Sequence, residues 1–350
     1  MTLRMRVVTA LLSATVAFPI VSAARADGEV NLYSSRHYDT DERLYSDFEK
    51  QTGIQVNRIE GNADELIERL KAEGKNSPAD VLITVDAGRI WRAADAGLLS
   101  PVNSDFLEKR IPAALRHPDN LWFGFSTRAR IIFYAKDRVK EPPQTYDELA
   151  DPKYKGQICI RSGLDIYNLS LLASRIAEEG PEKAKAWAEG LKNNLARQPQ
   201  GGDIDQLAGI VSGECDIAVA NTYYFARTLH SQVDGVSGHT DEIGWVFPDQ
   251  DGRGAHVNVS AAGVLKNAPN RENAVKFLEY LASDSAQEYF ASGNDEYPVV
   301  DGVAMSAAVV KLGKFKRDDL NLAALGEYQA EAQNIFNAIG FAWTPPGAAM

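Results

Sequence analysis

Short runs of β-branched residues alternate with amphipathic stretches along most of this chain, and this alternation constrains its fold most strongly. The first part contains the strand-like runs GEVNLYSS, IQVNRIEG and ADVLITVD, separated and followed by helical patterns over residues 40–51, 62–72 and 89–96. Asn62 followed by Glu65 predicts a capping box at the start of the second of these helices. Strand and helix in strict alternation predict βαβ units and a parallel, doubly wound sheet.

A second α/β region follows the first. Its predicted strands lie near RARIIFYA, GQICIRS and CDIAVAN, and its predicted helices cover residues 169–179, 181–191 and 204–211. Residues 256–265 then predict another strand, followed by the helices ENAVKFLEYLA and SAQEYFASG and a largely helical stretch over 320–339. Two such α/β lobes joined by crossing strands would leave a cleft between them, the architecture that closes about a hinge in periplasmic binding proteins.

The predicted fold class is therefore α/β, with two lobes of the type II-like periplasmic-binding arrangement, hinge strands and an interlobe ligand cleft. The chain has 350 residues, of which 45% are hydrophobic, so each lobe can bury its own core. We expect an N-lobe of residues 27–125 plus about 252–300 and a C-lobe of about 126–251 plus 301–340. Residues 341–350, which end in TPPGAAM, are expected to form a loose tail.

The N-terminus carries a targeting signal. Arg4 and Arg6 precede an apolar run over residues 7–21, and Ala24-Arg25-Ala26 forms an A-x-A cleavage site. The run is shorter than the roughly 20 residues that span a bilayer, and no later segment is long and apolar enough to do so. We predict that residues 1–26 are a signal peptide, that the exported chain begins near Asp27, and that it makes no stable membrane insertion. An uncleaved anchor helix is the alternative.

The charge and the cysteines narrow the class of protein further. A formal net charge of −11 argues against a nucleic-acid or anionic-membrane partner, because those surfaces bind clusters of Lys and Arg. Cys159 and Cys215 fit no zinc or redox spacing. In an oxidising compartment such a pair is more often a disulfide, with two unpaired buried thiols as the alternative.

Tyrosines follow three of the predicted strands. Ligands in open α/β sheets lie beyond the carboxyl ends of the strands. The three segments at those ends are SSRHY (34–38), RSGLDIY (161–167) and NTYYFAR (221–227), which place Tyr38, Tyr167, Tyr223 and Tyr224 in the predicted cleft. A lone tyrosine is usually a core or interface residue, and we interpret Tyr33, Tyr134 and Tyr154 in that way.

These segments resemble the bacterial periplasmic ferric-ion-binding proteins of iron ABC transporters. The resemblance rests on YSSRHY, Tyr167 and NTYYFAR, and it extends to GNADELIERLKAEG, PADVLITVDAG, RARIIFYAKD, DPKYKG and EYPVV. It covers essentially the whole exported chain. It implies phenolate ligands from Tyr223 and Tyr224, with further tyrosine ligands at Tyr167 and Tyr38. It also implies a periplasmic location and delivery of Fe(III) to an inner-membrane ABC permease with its ATPase; we expect a monomer.

The chemistry of tyrosine agrees with phenolate ligands for Fe(III). Ferric iron is a hard cation that favours oxygen donors, and a bound cation stabilises a deprotonated ligand. A phenol with an ordinary pKa near 10 then binds as phenolate and releases its proton. Four phenolates around Fe(III) leave one net negative charge, which a nearby cation would neutralise. Arg227 lies four residues after Tyr223, on the same face if the segment is helical; Arg128 is the candidate that the resemblance favours.

Some features of the site stay open at this level. The family often uses a histidine at the position of His37, but imidazole suits softer or divalent iron better than ferric iron. This residue is therefore a ligand of the iron, a hydrogen-bond partner of another ligand, or a ligand in one state only. Binding of Fe(II) in an alternative state and a synergistic anion such as carbonate or phosphate are also left open. The carboxylate of Glu65 needs no role beyond the helix cap.

Two other functions compete with iron binding. A protein of the same fold that binds an anion or a small organic cation would use arginines and helix N-termini, or acidic and aromatic walls. Such a ligand gives the tyrosine cluster no role. A secreted enzyme finds little support, since the chain has no G-x-S-x-G, GxxxxGK or HExxH motif and no isolated carboxylate pair.

Overall fold

A computed structural model describes residues 28–36 and 41–341 of the chain. Residues 1–26, His37, Tyr38 and nearly all of the predicted tail lie outside the described residues. The strands are β1 (Glu29–Ser34), β2 (Gln55–Glu60), β3 (Val81–Val85), β4 (Phe123–Ala135), β5 (Ile158–Cys159), β6 (Ile217–Asn221), β7 (Ile243–Val246), β8 (Val257–Val264) and β9 (Tyr297–Pro298).

Most helices occupy intervals that the sequence periodicity predicts, with small shifts at their ends, but the two short helices over 105–110 and 307–312 were not predicted. They are α1 (Asp41–Thr52), α2 (Ala63–Glu73), α3 (Ala87–Asp95), α4 (Asp105–Arg110), α5 (Ile166–Glu179), α6 (Pro181–Asn193), α7 (Asp203–Ser212), α8 (Thr222–Thr228), α9 (Arg271–Leu281), α10 (Asp284–Gly293), α11 (Ala307–Leu312), α12 (Ala324–Glu327) and α13 (Gln329–Ala338). Short 3₁₀ turns lie at Gly74–Asn76, Ala113–Leu115, Asp147–Ala150, Pro152–Tyr154 and Thr240–Glu242.

Local capping explains where some of these helices begin. Asn62 caps α2, as predicted, but its carboxamide accepts the backbone N–H of Asp64 at 2.9 Å. Within the described part of the chain, Glu65 makes no reciprocal capping bond, so the predicted capping box is wrong.

The long helical stretch predicted over 320–339 is divided at Tyr328 into α12 and α13. Both helices pack against α5, and α12 also packs against α3.

The strands form one mixed sheet in the order β2-β1-β3-β8-β4-β6-β5, with β7 and β9 also paired to β4. The predicted parallel pairing holds for β1 with β2, β1 with β3 and β5 with β6. The centre of the sheet is antiparallel, which the sequence did not predict: β8 runs antiparallel to β3 and β4, and β4 runs antiparallel to β6. The strand β8 returns from the second half of the chain, and a buried apolar run has the same pattern in either direction.

The long strand β4 connects the two halves of this sheet. Its residues from Phe123 to Ala129 pair with β8, and those from Arg130 to Tyr134 pair with β6. Successive side chains of a strand point to opposite faces, so Ile131 joins one hydrophobic cluster and Ile132 the other. Helices therefore cover both faces of the second half of the sheet, and the ends of its strands become the available surface for a ligand.

Across the described segments, the structure contains no helix long and apolar enough to cross a bilayer.

Candidate metal centre

The tyrosine pair lies where β6 ends and α8 begins. All five residues of β6 are buried, and α8 begins directly after Asn221, so Tyr223 and Tyr224 fall in the first turn of the helix. Their ring centroids are 4.3 Å apart with an interplanar angle of 34°. Tyr223 is almost completely buried and Tyr224 is half-buried. The chain thus holds two phenol rings together at the carboxyl end of a buried strand, as the sequence predicts.

Tyr167 reaches the same place from a different helix. Asp165 caps α5, and its carboxylate accepts the backbone N–H of Tyr167 at 3.0 Å, which fixes the first turn of the helix. The hydroxyl of Tyr223 donates to the hydroxyl of Tyr167 at 3.1 Å, although the two residues are 56 positions apart. Three of the four tyrosines predicted for the site therefore lie together.

Two arginines flank the ring of Tyr167. The guanidinium carbon of Arg161 lies 5.0 Å from the ring centroid and that of Arg130 lies 6.0 Å from it. Arg161 pairs with Asp165 at 2.7 Å, and Asp203 pairs with both Arg161 and Arg130 at 3.5 and 3.2 Å. Burial lowers the pKa of Arg161, but the nearby carboxylates of Asp203 and Asp165 outweigh it and raise that pKa overall. Both arginines are matched by carboxylates.

The two arginines predicted to balance the site differ in their surroundings. Arg128 is 1% exposed, with its guanidinium carbon 5.8 Å from the ring centroid of Tyr223. Its Nη2 donates to Glu296 Oε1 at 2.7 Å and to Ser260 Oγ at 2.8 Å, so its charge is already paired. Arg227 lies on α8 and is only half-buried. Counting residues 28–36 and 41–341, no carboxylate lies within ion-pair distance of Arg227.

The acidic partners of this site were not predicted from the sequence. Arg36, which follows β1, donates through Nη1 to Glu296 Oε2 at 3.1 Å and through Nε to Asp41 at 2.9 Å. Glu296 and Asp41 are both 2% exposed. The sequence offers one signal for such partners, because a buried arginine needs a carboxylate beside it. The chain has 48 acidic residues, so that signal does not select Glu296.

Asp86 is a further buried carboxylate that was not predicted from the sequence. It follows β3 with a φ of 94°, and it accepts hydrogen bonds from Ser170 at 2.8 Å and from Asn258 Nδ2 at 2.7 Å. Burial is the main cause that raises the pKa of Asp86 to about 6, while the hydrogen bonds from Ser170 and Gly88 oppose the rise. Because Ser170 lies on α5, this carboxylate joins the first half of the sheet to the helix that carries Tyr167.

The disulfide and two of the structural tyrosines predicted from the sequence are present in the structure. Cys159 and Cys215 form the predicted disulfide. Tyr33 and Tyr154 are buried, and their hydroxyls donate to Glu73 and to the backbone carbonyl of Glu141, as expected of structural tyrosines. Over the part of the chain that the structure covers, no three His, Cys, Asp or Glu side chains form a metal-binding group. The oxygen donors that come together are phenols.

Comparisons with known proteins agree with this arrangement. The chain matches the family described as bacterial extracellular solute-binding protein over residues 43–317. Iron uptake protein A1 of Synechocystis sp. is 51% identical over 324 residues, which are 92% of this chain and 90% of that protein. Iron uptake protein A2 of the same organism is 48% identical over 336 residues, 95% and 96% of the two chains.

A solved structure shows the same similarity in three dimensions. It is the Trichodesmium protein FutA in complex with iron and citrate ligands, which is 51% identical to this chain with a TM-score of 0.87. The match covers 90% of this chain and 100% of the FutA chain. This chain therefore belongs to the bacterial extracellular solute-binding protein family and has the two-lobed α/β fold of its periplasmic members.

Proposed function

We propose that this protein captures ferric iron with tyrosine phenolates in the cleft between its lobes and delivers it to an ABC permease. The observation that carries the proposal is the 3.1 Å contact between the hydroxyls of Tyr223 and Tyr167, with Tyr224 packed beside Tyr223. Phenols that meet in this way in a partly buried site are suited to share one hard cation. The relatives named for iron uptake and for ferric iron binding support the same ligand.

The proposed ligands are Tyr167, Tyr223, Tyr224 and Tyr38, with His37 as a further candidate. Arg36 is fixed by Glu296, the same carboxylate that holds Arg128 beside Tyr223. Tyr38 is two residues further along the chain, a span of at most about 7 Å. This short tether supports a fourth phenolate from the 36–38 segment at the cluster.

The charges of the site suit a trivalent cation. Four phenolates and Fe(III) carry one net negative charge, and each phenol releases a proton on binding. Arg128, Arg130 and Arg161 are matched by carboxylates, so Arg227 is the proposed counter-charge. Four phenolates need no synergistic anion. Reduction to Fe(II) would weaken all four bonds, because phenolate is a hard ligand.

A protein with this task is exported and works with a transporter. We infer that residues 1–26 are removed as a signal peptide and that the exported chain acts as a monomer in the periplasm. We also infer that a permease with its ATPase accepts the iron-loaded protein. The names of the relatives describe uptake and binding, and we infer a binding protein rather than an enzyme.

An anion is a weaker candidate for the ligand. Relatives at 24% and 26% identity include a thiamine-binding and a putative 2-aminoethylphosphonate-binding protein, so the fold serves such ligands. Here Arg128 is paired with Glu296, and Arg130 and Arg161 share Asp203. These arginines therefore offer an anion little uncompensated positive charge.

Equilibrium binding to the metal-stripped exported chain tests the proposal. Ferric nitrilotriacetate, inorganic phosphate and thiamine are titrated separately, with and without added citrate or carbonate. We expect uptake of one Fe(III) per chain, independent of the added anion, and no binding of phosphate or thiamine alone. Binding of phosphate or thiamine without uptake of iron would overturn the ferric assignment.

A further inference from the structure

Asp86 combines a buried carboxylate with a strained backbone conformation. Its φ is 94° and its ψ is 127°, values that residues other than glycine rarely adopt. The side chain is completely buried. Three neutral groups donate to it: Ser170 Oγ at 2.8 Å, Asn258 Nδ2 at 2.7 Å and the backbone N–H of Gly88 at 2.8 Å. A buried charge and a strained residue each cost free energy, so the arrangement indicates a functional role.

The donors to this carboxylate come from different parts of the fold. Gly88 lies in the first turn of α3, directly after β3, and Asn258 lies on β8. The carboxamide of Asn258 also accepts the backbone N–H of Ala87 at 2.8 Å, which fixes the start of α3 against β8. Ser170 belongs to α5 in the second half of the fold, and its hydroxyl lies 2.8 and 3.0 Å from the two carboxylate oxygens. The bond between Asp86 and Ser170 therefore joins the two halves.

Ser170 is one turn away from a proposed iron ligand. It follows Tyr167 by three positions in α5, so the two side chains lie on neighbouring turns of one face of the helix. Ser170 is completely buried, whereas Tyr167 is half-buried at the proposed site. The hydroxyl of Ser170 thus ties the turn that follows Tyr167 to the end of β3.

Building on the proposed function, we propose that Asp86 is a positioning residue of the iron site and acts through Ser170. The bond between their side chains holds the first two turns of α5 against the end of β3, which keeps the phenol of Tyr167 beside that of Tyr223. Residues that support metal ligands from outside set the geometry in which those ligands bind. Without this bond α5 is free to shift, and Tyr167 binds iron less tightly.

The variant Ser170→Ala tests this role, because it removes only the donor. The change is made in the wild type, in Tyr167→Phe and in Tyr224→Phe, and Fe(III) affinity is measured by competition with nitrilotriacetate. Ser170 is one contact further from the iron than a direct partner of a ligand, whose loss costs about tenfold or more, so we expect about a threefold loss in the wild type. In Tyr167→Phe the change should cost less than about 1.5-fold, because its effect runs through Tyr167. In Tyr224→Phe the full loss should remain.

The matched control is Ser174→Ala, on the same helix. Ser174 is 2% exposed, and its hydroxyl donates to the backbone carbonyl of Leu171 at 2.7 Å, within α5 itself. This variant also removes a buried hydroxyl, but it breaks no bond to the first half of the fold. We expect it to keep the iron affinity of the wild type.

A second variant, Asp86→Asn, weakens the same bond from the side of the acceptor. A neutral carboxamide accepts a weaker hydrogen bond than a carboxylate does. We expect Asp86→Asn to weaken iron binding in the wild type and to have a smaller effect in Tyr167→Phe. In the iron-saturated Ser170→Ala and Asp86→Asn variants, the visible absorption band should shift from the wild-type wavelength towards that of Tyr167→Phe. A change in stability alone would not move this band.

The outcomes distinguish this role from the proposed function. A wild type that takes up no Fe(III) contradicts the proposed function, and with it the role of Asp86. If the wild type binds iron, the positioning role alone is wrong when Ser170→Ala keeps the full affinity or costs as much in Tyr167→Phe as in Tyr224→Phe. The same conclusion follows if Ser174→Ala costs as much affinity as Ser170→Ala.

Discussion

At the scale of single residues, three of the tyrosines and Arg128 could be predicted, but the buried carboxylates around them could not. Tyr223 and Tyr224 stand directly after an apolar run, so a local pattern places them at the end of a strand. Glu296 and Arg128 are 168 positions apart in the sequence, and Asp86 and Ser170 are 84 positions apart, yet each pair is hydrogen-bonded. Such pairings depend on how the strands assemble, which no local periodicity encodes.

Tyr167 provides a test of the phenolate set. Tyr167→Phe removes one proposed ligand and the acceptor of the Tyr223 hydroxyl. We expect Fe(III) affinity to fall by more than about tenfold. Mutation of a residue that only hydrogen-bonds to a metal ligand already costs about that much, and loss of a ligand should cost more. The matched control is Tyr154→Phe, whose hydroxyl donates to the carbonyl of Glu141 at 2.8 Å. It should cost about 1 kcal/mol of stability and leave iron affinity unchanged. Equal affinities for both variants would contradict the assignment of Tyr167.

Asp86 should give the unfolding free energy a dependence on pH. Burial raises its pKa to about 6 in the folded chain, whereas an unfolded Asp has a pKa near 4. The folded state therefore holds the proton more tightly, and its contribution to stability is complete below about pH 4 and is lost as the pH rises to about 6. The stability of wild type relative to Asp86→Asn should decline across this window, by on the order of 3 kcal/mol. Urea unfolding at several pH values measures it; a constant difference would contradict the account.

At the scale of elements, the positions of the longer helices and of most strands followed from periodicity, but α4, α11, β7 and β9 were not predicted, and the direction of β8 was not predicted either. The run over 256–265 correctly predicted β8, yet its antiparallel pairing with β3 and β4 was not foreseen. The reason is that a strand buried on both faces loses the alternation of polar and apolar residues. The break at Tyr328 between α12 and α13 was missed for a similar reason, since both segments are helical in pattern.

The disulfide lies near the start of β6, away from the proposed site at the other end of that strand. It joins β5 to Cys215, two residues before β6 begins, whereas the tyrosine pair follows the other end of β6. The double replacement Cys159→Ser/Cys215→Ser opens a loop of 56 residues and should lower the free energy of unfolding by about 4 kcal/mol in the chain-entropy model. Iron affinity at a temperature where the variant is folded should match the wild type. Denaturant unfolding and iron titration measure both; a large loss of affinity in the folded variant would contradict this separation.

At the scale of the whole molecule, the lobe boundaries drawn from the sequence remain a prediction. The change of partner along β4, at Ala129 and Arg130, lies close to the predicted boundary between residues 125 and 126. The similarity to a known relative covers 92% of the chain, so the two-lobed architecture was the most predictable level of the structure.

Closure of the lobes about β4 and β8 would be visible in solution. Ligands that bind between two lobes favour the closed arrangement. We expect the radius of gyration from small-angle X-ray scattering to decrease when Fe(III) binds the wild type and to change less in Tyr167→Phe. An identical radius of gyration with and without bound iron would show that the captured ion does not close the cleft.

The visible spectrum tests the central claim most directly. One equivalent of Fe(III), held by a weak chelator, is added to the metal-stripped wild type and to the variant Tyr223→Phe/Tyr224→Phe. Phenolates bound to ferric iron give a coloured charge-transfer band, so we predict a band in the wild type that collapses in the double variant. A wild type that stays colourless, or a double variant that keeps the full band, would contradict capture of iron by the tyrosine pair.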